Sequence, residues 1–465
     1  MFSANTYQER RAALKKLVGN GILLIPGNSE AGMNYKANAY PFWQDKNFLY
    51  YFGLQQADLA GVIDADNDLD ILFGDELSLD DQVWTGVLPT LHSRAAQAGI
   101  ANIMPSKKLG PMLRAAKKAG RKIHLLPPYR GDHTLQWSEW LGVPVKRLGD
   151  FISEDLIKAV VHQRVHKTAE EIAEIEAALA ISKEIHESLM REVKPGMQEY
   201  YMLGRSLQIA ANHGGRLAYG AIASVRGEVL HNVDYHRTIE AGQMVLCDLG
   251  AEGPSGYASD ITRTFPANAA FSSFQKDIYQ LVLNVEETAI GSLAPGVSYR
   301  DVHLNAALQF ANGLRDMGLM KGNPEDAVAA GAHALFFPHG LGHMMGLDVH
   351  DLEGLGEQYV GYDETVQRST QFGTKWLRLA KQLEPGNVLT VEPGLYFIPV
   401  LTDQWRKKGL HKEFIAYDKL KKHRDFGGVR IEDNVLITEN AHRVLGPPIA
   451  KQVAEVEALR GQAFL

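Results

Sequence analysis

Phe337-Pro338-His339-Gly340-Leu341-Gly342-His343-Met344-Met345-Gly346-Leu347-Asp348-Val349-His350-Asp351 carries three histidines within twelve residues. A lone histidine is most often a polar surface or core residue, but three so close are hard to explain by packing. The spacing of His339 and His343 invites comparison with the H-E-x-x-H zinc helix. Here two glycines fill the interior and the glutamate is missing, so a regular helix is not expected. In an extended strand, positions four apart also share a face, so both rings can still point into one site.

Carboxylates stand in matching contexts on either side. Val388-Leu389-Thr390-Val391-Glu392-Pro393-Gly394 and Gly428-Val429-Arg430-Ile431-Glu432-Asp433 each set a glutamate inside a β-branched run flanked by glycine or proline. Such a run reads as a buried strand, where a carboxylate is costly unless paired or bound to metal. Arg430 and Glu432 lie two apart and are expected to share a strand face. A buried Arg–Glu ion pair without catalytic role is the plainer alternative. Upstream, Val245-Leu246-Cys247-Asp248 ends an apolar run, and Ala258-Ser259-Asp260-Ile261-Thr262-Arg263-Thr264-Phe265 begins an alternating one. The Gly-, Pro- and Ser-rich loop between them reverses the chain, and a hairpin there brings Asp248 and Asp260 face to face. Aspartates also flank turns simply because they cap and bend well. Together Asp248, Asp260, His343, Glu392 and Glu432 can hold two divalent ions and balance their charge, leaving room for a bridging hydroxide.

The series Asp248, Asp260, His343, Glu392, Glu432 resembles the metal-ligand order of the pita-bread metallopeptidases, which include methionine aminopeptidase, aminopeptidase P and prolidase. The strings HGLGHMMGLDVHD, LTVEPGLYF, FGGVRIEDNVLIT and YASDITRTFPAN narrow the resemblance to the proline-directed branch, over nearly the whole chain. It implies an α/β (α+β) fold: a mixed α/β amino-terminal domain over 1–155, then a pseudo-twofold pita-bread catalytic domain over 165–465. It implies that Asp260 and Glu432 bridge two metal ions, Asp248 completes one, and His343 with Glu392 completes the other. A shared water or hydroxide would attack the carbonyl before proline, its pKa lowered by the metals. Carboxylate-rich donor sets favour harder ions, so Mn²⁺ is expected, with Co²⁺ or Zn²⁺ as substitutes. By the same resemblance His231 contacts substrate, His339 and His350 line the pocket and assist proton transfer, and Arg430 supports the bridging glutamate.

Two activities compete within that branch. Prolidase cleaves Xaa-Pro dipeptides, and aminopeptidase P removes the first residue of longer peptides. Arg378 stands in a segment similar to one in which a prolidase arginine holds the dipeptide's free carboxylate, a task that suits a guanidinium. The alternative is a surface arginine. The long segment from Glu392 to Arg430, with Trp405-Arg406-Lys407-Lys408, and the wide gap between His343 and Glu392 also resemble prolidases. An Xaa-Pro dipeptidase is therefore expected, with aminopeptidase P as the alternative. A catalytically inactive binding protein of the same fold is a third reading, disfavoured because all five ligand positions are filled. A creatinase-like enzyme, which works without this metal set, is disfavoured too.

Composition agrees with a globular enzyme of more than one domain. The chain has 465 residues, 45% hydrophobic and 22% charged, with a formal charge of −7. Lys107-Lys108, Lys117-Lys118 and Lys421-Lys422 read as solvated faces rather than nucleic-acid tracks. A single cysteine, Cys247, cannot form an internal disulfide, and the start lacks a charged-then-apolar leader pattern. No apolar run reaches the roughly 18 residues of a membrane span. A cytoplasmic enzyme acting on Xaa-Pro peptides is expected, with no nucleic-acid or membrane partner. A homodimer fits the family habit.

The amino-terminal region reads as strands at 21–26, 60–64, 69–73 and 122–126 with a lysine-rich helix near 106–119. Gln44-Asp45-Lys46-Asn47-Phe48-Leu49-Tyr50-Tyr51-Phe52-Gly53 resembles the amino-terminal domain of aminopeptidase P and many prolidases, a domain that methionine aminopeptidases lack. Beyond it, Thr168-Ala169-Glu170-Glu171 is a capping-box pattern opening a helix that stops at Lys194-Pro195-Gly196. A helix over 275–292, a break at Ala294-Pro295-Gly296 and a helix from 299 repeat that plan, which suggests an internal duplication.

Overall fold

A computed structural model describes residues 2–465, which fall into two units. One comprises the described residues up to Arg164 with Gly354–Tyr359, the other Val165–Glu353 with Val360–Leu465.

In the first unit the buried run Ile22–Pro26 (β1) pairs antiparallel with Ala60–Asp64 (β2). β2 turns back into Leu69–Phe73 (β3) as a hairpin. Asn102–Met104 (β4) and Ile123–His124 (β5) add in parallel at the two edges, giving the order β4-β3-β2-β1-β5. The last strand is shorter than expected because Leu125 hydrogen-bonds to Phe151 and Ser153, away from the sheet. Leu109, Leu113 and Ala116 of the helix Leu109–Lys118 recur at helical spacing and join Ile22, Leu24 and Val62 in one core.

The second unit opens with the capping box: the Thr168 side chain accepts from the Glu171 N–H, and Glu171 accepts from the Thr168 N–H at 3.0 Å. The helices Ala169–Glu192 and Tyr200–Asn212 flank the Pro195-Gly196 break. Arg216–Leu217 (β6), Ile222–Ser224 (β7), Met244–Asp248 (β8), Ala251–Glu252 (β9) and Thr262–Pro266 (β10) follow, with β8 central in the sheet β10-β8-β7. The plan then recurs with helices Ser273–Gly291 and Tyr299–Asp316. Val388–Val391 (β11), Gly394–Tyr396 (β12), Gly428–Arg430 (β13), Asp433–Ile437 (β14) and His442–Val444 (β15) complete it, with β14 central in β11-β14-β15.

Hydrogen bonds make the duplication concrete. The N–H of Gly196 donates to Ile239 O at 2.8 Å and the N–H of Ile239 to Met197 O at 2.8 Å. In the second half Gly296 donates to Leu383 O at 2.8 Å and Leu383 to Val297 O at 2.9 Å. Both break glycines adopt positive φ, 94° and 81°, a conformation costly for residues with a Cβ. Ile239-Glu240-Ala241-Gly242 then leads into β8, and Leu383-Glu384-Pro385-Gly386 into β11. Asp248 and Glu392 therefore stand at matching positions of the two halves. No helix among the described residues is long and apolar enough to cross a membrane.

Candidate metal centre

The two aspartates come from one antiparallel pair. β8 and β10 align Asp248 with Thr262, and Asp260 enters just ahead of that register. Asp260 is fixed by its own backbone: its N–H donates to Asn434 Oδ1 at 3.1 Å, and the Asn434 amide returns to its carbonyl at 2.6 Å. The Tyr219 hydroxyl sits between both carboxylates, 2.7 Å from Asp248 Oδ1 and in contact with Asp260 Oδ1.

The two glutamates lie at the interruption of a single ribbon rather than inside strands. β11 pairs with β14 up to Val391 opposite Asp433, and β12 pairs with β13 from Gly394 opposite Arg430. Glu392-Pro393 and Ile431-Glu432 occupy the gap between these ladders. Pro393 has no N–H and cannot continue the pairing, so the expected unbroken strand is cut where the carboxylates are needed. The Glu432 N–H bonds Thr262 O at 3.1 Å, and Thr262 Oγ1 donates to Glu432 Oε2 at 2.7 Å. Arg430 and Glu432 meet at Thr262 Oγ1, which accepts from Arg430 Nε at 3.1 Å and donates to Glu432 Oε2 at 2.7 Å. The Arg430 guanidinium also bonds the Asp248 carboxylate and Tyr396 Oη, the latter at 2.6 Å.

The histidine segment is neither helix nor regular strand. It runs irregularly along β11, with Thr390 N–H to His343 O at 3.0 Å and Glu392 N–H to Leu341 O at 2.8 Å. Gly342 permits that approach: a Cβ there would lie 2.1 Å from Thr390 O and 2.6 Å from Tyr299 Oη. His343 is anchored through Nδ1 to Met344 O at 3.1 Å, which leaves Nε2 facing Asp260 at 3.4 Å and Glu392 at 3.6 Å.

Electrostatics say what these groups lack. Donor atoms of Asp260, His343 and Glu432 all lie within 4.8 Å of one another, and all three residues are buried. Burial and mutual repulsion push the Asp260 carboxyl up, the Glu392 carboxyl up to about 7, and that of Glu432 well above the usual range. Burial opposes a charge on His343, yet Asp260 and Glu392 beside it raise its pKa to about 9. Glu432 Oε1 is buried with no hydrogen-bond partner. A cluster of repelling carboxylates with a vacant oxygen is what a divalent cation satisfies, so the donor set fits a metal.

Around this cluster stand the other predicted residues. His339 donates from Nδ1 to Gly340 O at 2.7 Å, which leaves Nε2 to accept from Tyr396 Oη at 2.8 Å. Its pKa falls to about 3 through burial and the nearby Arg430 charge. The His350 ring lies 4.3 Å from that of His343, nearly perpendicular. Arg378 reaches the same place, with Nη1 3.1 Å from His350 Nδ1 and in contact with the Glu353 carboxylate. His231 lies exposed in the loop after β7, in the electrostatic neighbourhood of His339 and His350.

Residues 173–439 match the family described as Metallopeptidase family M24. The chain belongs to that family. Residues 7–125 match the aminopeptidase P N-terminal domain. The Xaa-Pro dipeptidase of Homo sapiens is 32% identical over 448 residues, 94% of this chain and 88% of that protein. A probable Xaa-Pro aminopeptidase of Verticillium alfalfae is 32% identical over 449 residues, 96% and 93% of the two chains. Zn-substituted Escherichia coli aminopeptidase P in complex with product superposes with a TM-score of 0.81 at 28% identity, covering 100% of this chain and 99% of that one. The protein is thus an M24 peptidase of the proline-directed branch with the pita-bread α/β fold, and the family implies divalent metal ions.

Sequence reading of this M24 chain missed Tyr219, Tyr396 and Glu353 as neighbours of the site. Tyr396 falls within LTVEPGLYF and was open to notice, whereas Tyr219 lies in a loop with no pattern of its own. Tyr219→Phe removes the hydroxyl that steadies both aspartates. Metal affinity is expected to fall about 10- to 100-fold, read by competition with a chelating dye, with little change in unfolding temperature.

Proposed function

We propose that this chain is an Xaa-Pro dipeptidase in which Asp248, Asp260, His343, Glu392 and Glu432 would hold two divalent ions, Asp260 and Glu432 being the residues that would be shared between them. Four carboxylates and one imidazole without a thiolate suit manganese, with cobalt or zinc able to substitute. When bound, the ions acidify a water and polarise the scissile carbonyl.

The chain's own residues supply orientation and hydrogen bonds. Arg430 pairs with the Asp248 carboxylate and aims it. His350 accepts from Arg378 at Nδ1, so its Nε2–H is free to donate to the oxyanion as it develops. His339, locked between Gly340 O and Tyr396, is a fixed neutral partner for substrate and for proton transfer, and His231, exposed in the loop after β7, would contact substrate. The observation that carries the dipeptidase reading is Arg378, a cation placed beside His350 at the edge of the centre. A guanidinium there can hold the free carboxylate of a carboxy-terminal proline.

Aminopeptidase P is the second reading, supported by the likeness to solved structures of Escherichia coli aminopeptidase P. Hydrolysis of an Xaa-Pro dipeptide beside its Xaa-Pro-Xaa tripeptide by manganese-loaded protein separates the two. The dipeptide is expected to be the better substrate; preferential tripeptide cleavage would make the enzyme an aminopeptidase P. Failure to cut either would leave a binding protein. The lone buried Cys247 agrees with a reducing compartment, the cytoplasm.

A further inference from the structure

Glu353 is a carboxylate built into the place where a substrate carboxylate would arrive. Its Oε2 contacts Arg378 Nη1 and lies 3.8 Å from His350 Nδ1, with the side chain only 15% exposed. The turn that delivers it is braced at Asp351, through both side chain and backbone. Asp351 is locked in a buried ion pair with Lys167 at 2.9 Å, and its N–H donates to Met344 O at 3.0 Å. Between them Leu352, buried and β-unbranched, adopts φ of 65°, a left-handed conformation that costs a residue with a Cβ about 1 kcal/mol or more. The backbone thus holds a strained residue in order to turn Glu353 toward Arg378.

We infer that Glu353 is a specificity-determining residue, sharing the Arg378 guanidinium with the substrate and setting how strongly dipeptides are preferred over longer peptides. This rests on the reading of Arg378 as the carboxylate clamp. Nη1 is already engaged by Glu353 and His350, so a proline carboxylate must use the remaining N–H groups of the fork or displace Glu353. Either way two carboxylates face one cation, and the repulsion weakens binding of a dipeptide. A peptide that continues past proline presents a neutral amide there and feels no such penalty. Glu353 therefore narrows the gap between the two kinds of substrate.

The test compares kcat/KM for Ala-Pro and for Ala-Pro amide in the metal-loaded wild type, Glu353→Gln and Arg378→Gln. Gln retains an oxygen that can accept from Arg378 but removes the charge. The dipeptide-to-amide ratio is expected to rise about three- to tenfold in Glu353→Gln, chiefly through a lower KM for the dipeptide. A ratio that is unchanged or lower overturns the inference, a lower one meaning that Glu353 merely holds Arg378 in place. Arg378→Gln should collapse the wild-type ratio. Were it to collapse while Glu353→Gln raised nothing, only the role of Glu353 would fall. Were Arg378→Gln to leave the ratio intact, the clamp would fall and the inference with it.

Discussion

Glu432→Gln and Asp260→Asn lower kcat/KM by about 10³-fold or more and release at least one of the bound ions. Each residue belongs to the buried triad whose donor atoms lie within 4.8 Å, and each carboxyl is pushed up by burial and by its neighbours. Glu432 carries the further mark of a buried oxygen with no partner. The protein has gathered more negative charge than its own hydrogen bonds satisfy, so the folded metal-free state is strained by the ligands themselves. The sign of that strain is testable. A carboxyl with a raised folded pKa keeps its proton in the native state while the unfolded chain gives it up, so stability falls as pH rises above the usual carboxylate range toward neutrality. Glu432→Gln should therefore raise the unfolding temperature of the chelator-treated protein at pH 7, even as it destroys turnover. Elemental analysis after dialysis, steady-state kinetics and calorimetry with and without manganese read all three effects. Full activity with unchanged metal content would end the bridging assignment.

What the sequence disclosed and what it hid divide along physical lines. Local signals were legible: the Thr168 capping box, the β2–β3 hairpin, the reversal between Asp248 and Asp260, and the Pro-Gly breaks at 195–196 and 295–296. Each depends on a few adjacent residues whose backbone preferences agree with the final fold. Partnerships across the chain were not legible. The Arg430 guanidinium reaches Asp248, 182 positions away, a contact that no local pattern announces. The glutamates were expected within continuous strands, yet Pro393 breaks the ribbon beside them. The spacing of His339 and His343 suggests a shared strand face, but their segment is an irregular loop laid along β11, and it is His350 whose ring packs 4.3 Å from that of His343. The repeat could have been found at strand level. Ile239-Glu240-Ala241-Gly242 before Asp248 and Leu383-Glu384-Pro385-Gly386 before Glu392 share a hydrophobic–Glu–x–Gly pattern at equal distance from an acidic residue. That pattern needs the two halves to be laid side by side, which helix breaks alone do not prompt.

Arg263→Met should cost about 3–5 kcal/mol of stability, the scale for removing one partner from a buried charge network. Arg263 lies in the YASDITRTFPAN string, and its side chain is 1% exposed. Its guanidinium donates to Thr262 O at 2.9 Å, Glu432 O at 2.7 Å and Asp433 Oδ1 at 2.6 Å, and to Ile449 O and Ala450 O at 3.2 Å each. One side chain thus ties β10, the glutamate of the ribbon break and the segment before the last helix. Burial would raise the Asp433 carboxyl, but Arg263 and Lys451 beside it hold it well below the usual carboxylate range. Methionine fills much of the same volume and supplies none of these donors, so the carbonyls lose this partner and Asp433 retains Lys451, at 2.6 Å, as its cation. Lysine keeps the charge but offers a single point of donation where a planar fork is used, and Arg263→Lys should lose most of the same stability. Chemical denaturation with an unchanged m-value, followed by metal titration of the folded fraction, measures both the cost and any loosening of Glu432. A midpoint shift of the size of an ordinary surface substitution, within about 0.5 kcal/mol, would show that the β10–ribbon junction is held by its backbone ladders and not by Arg263.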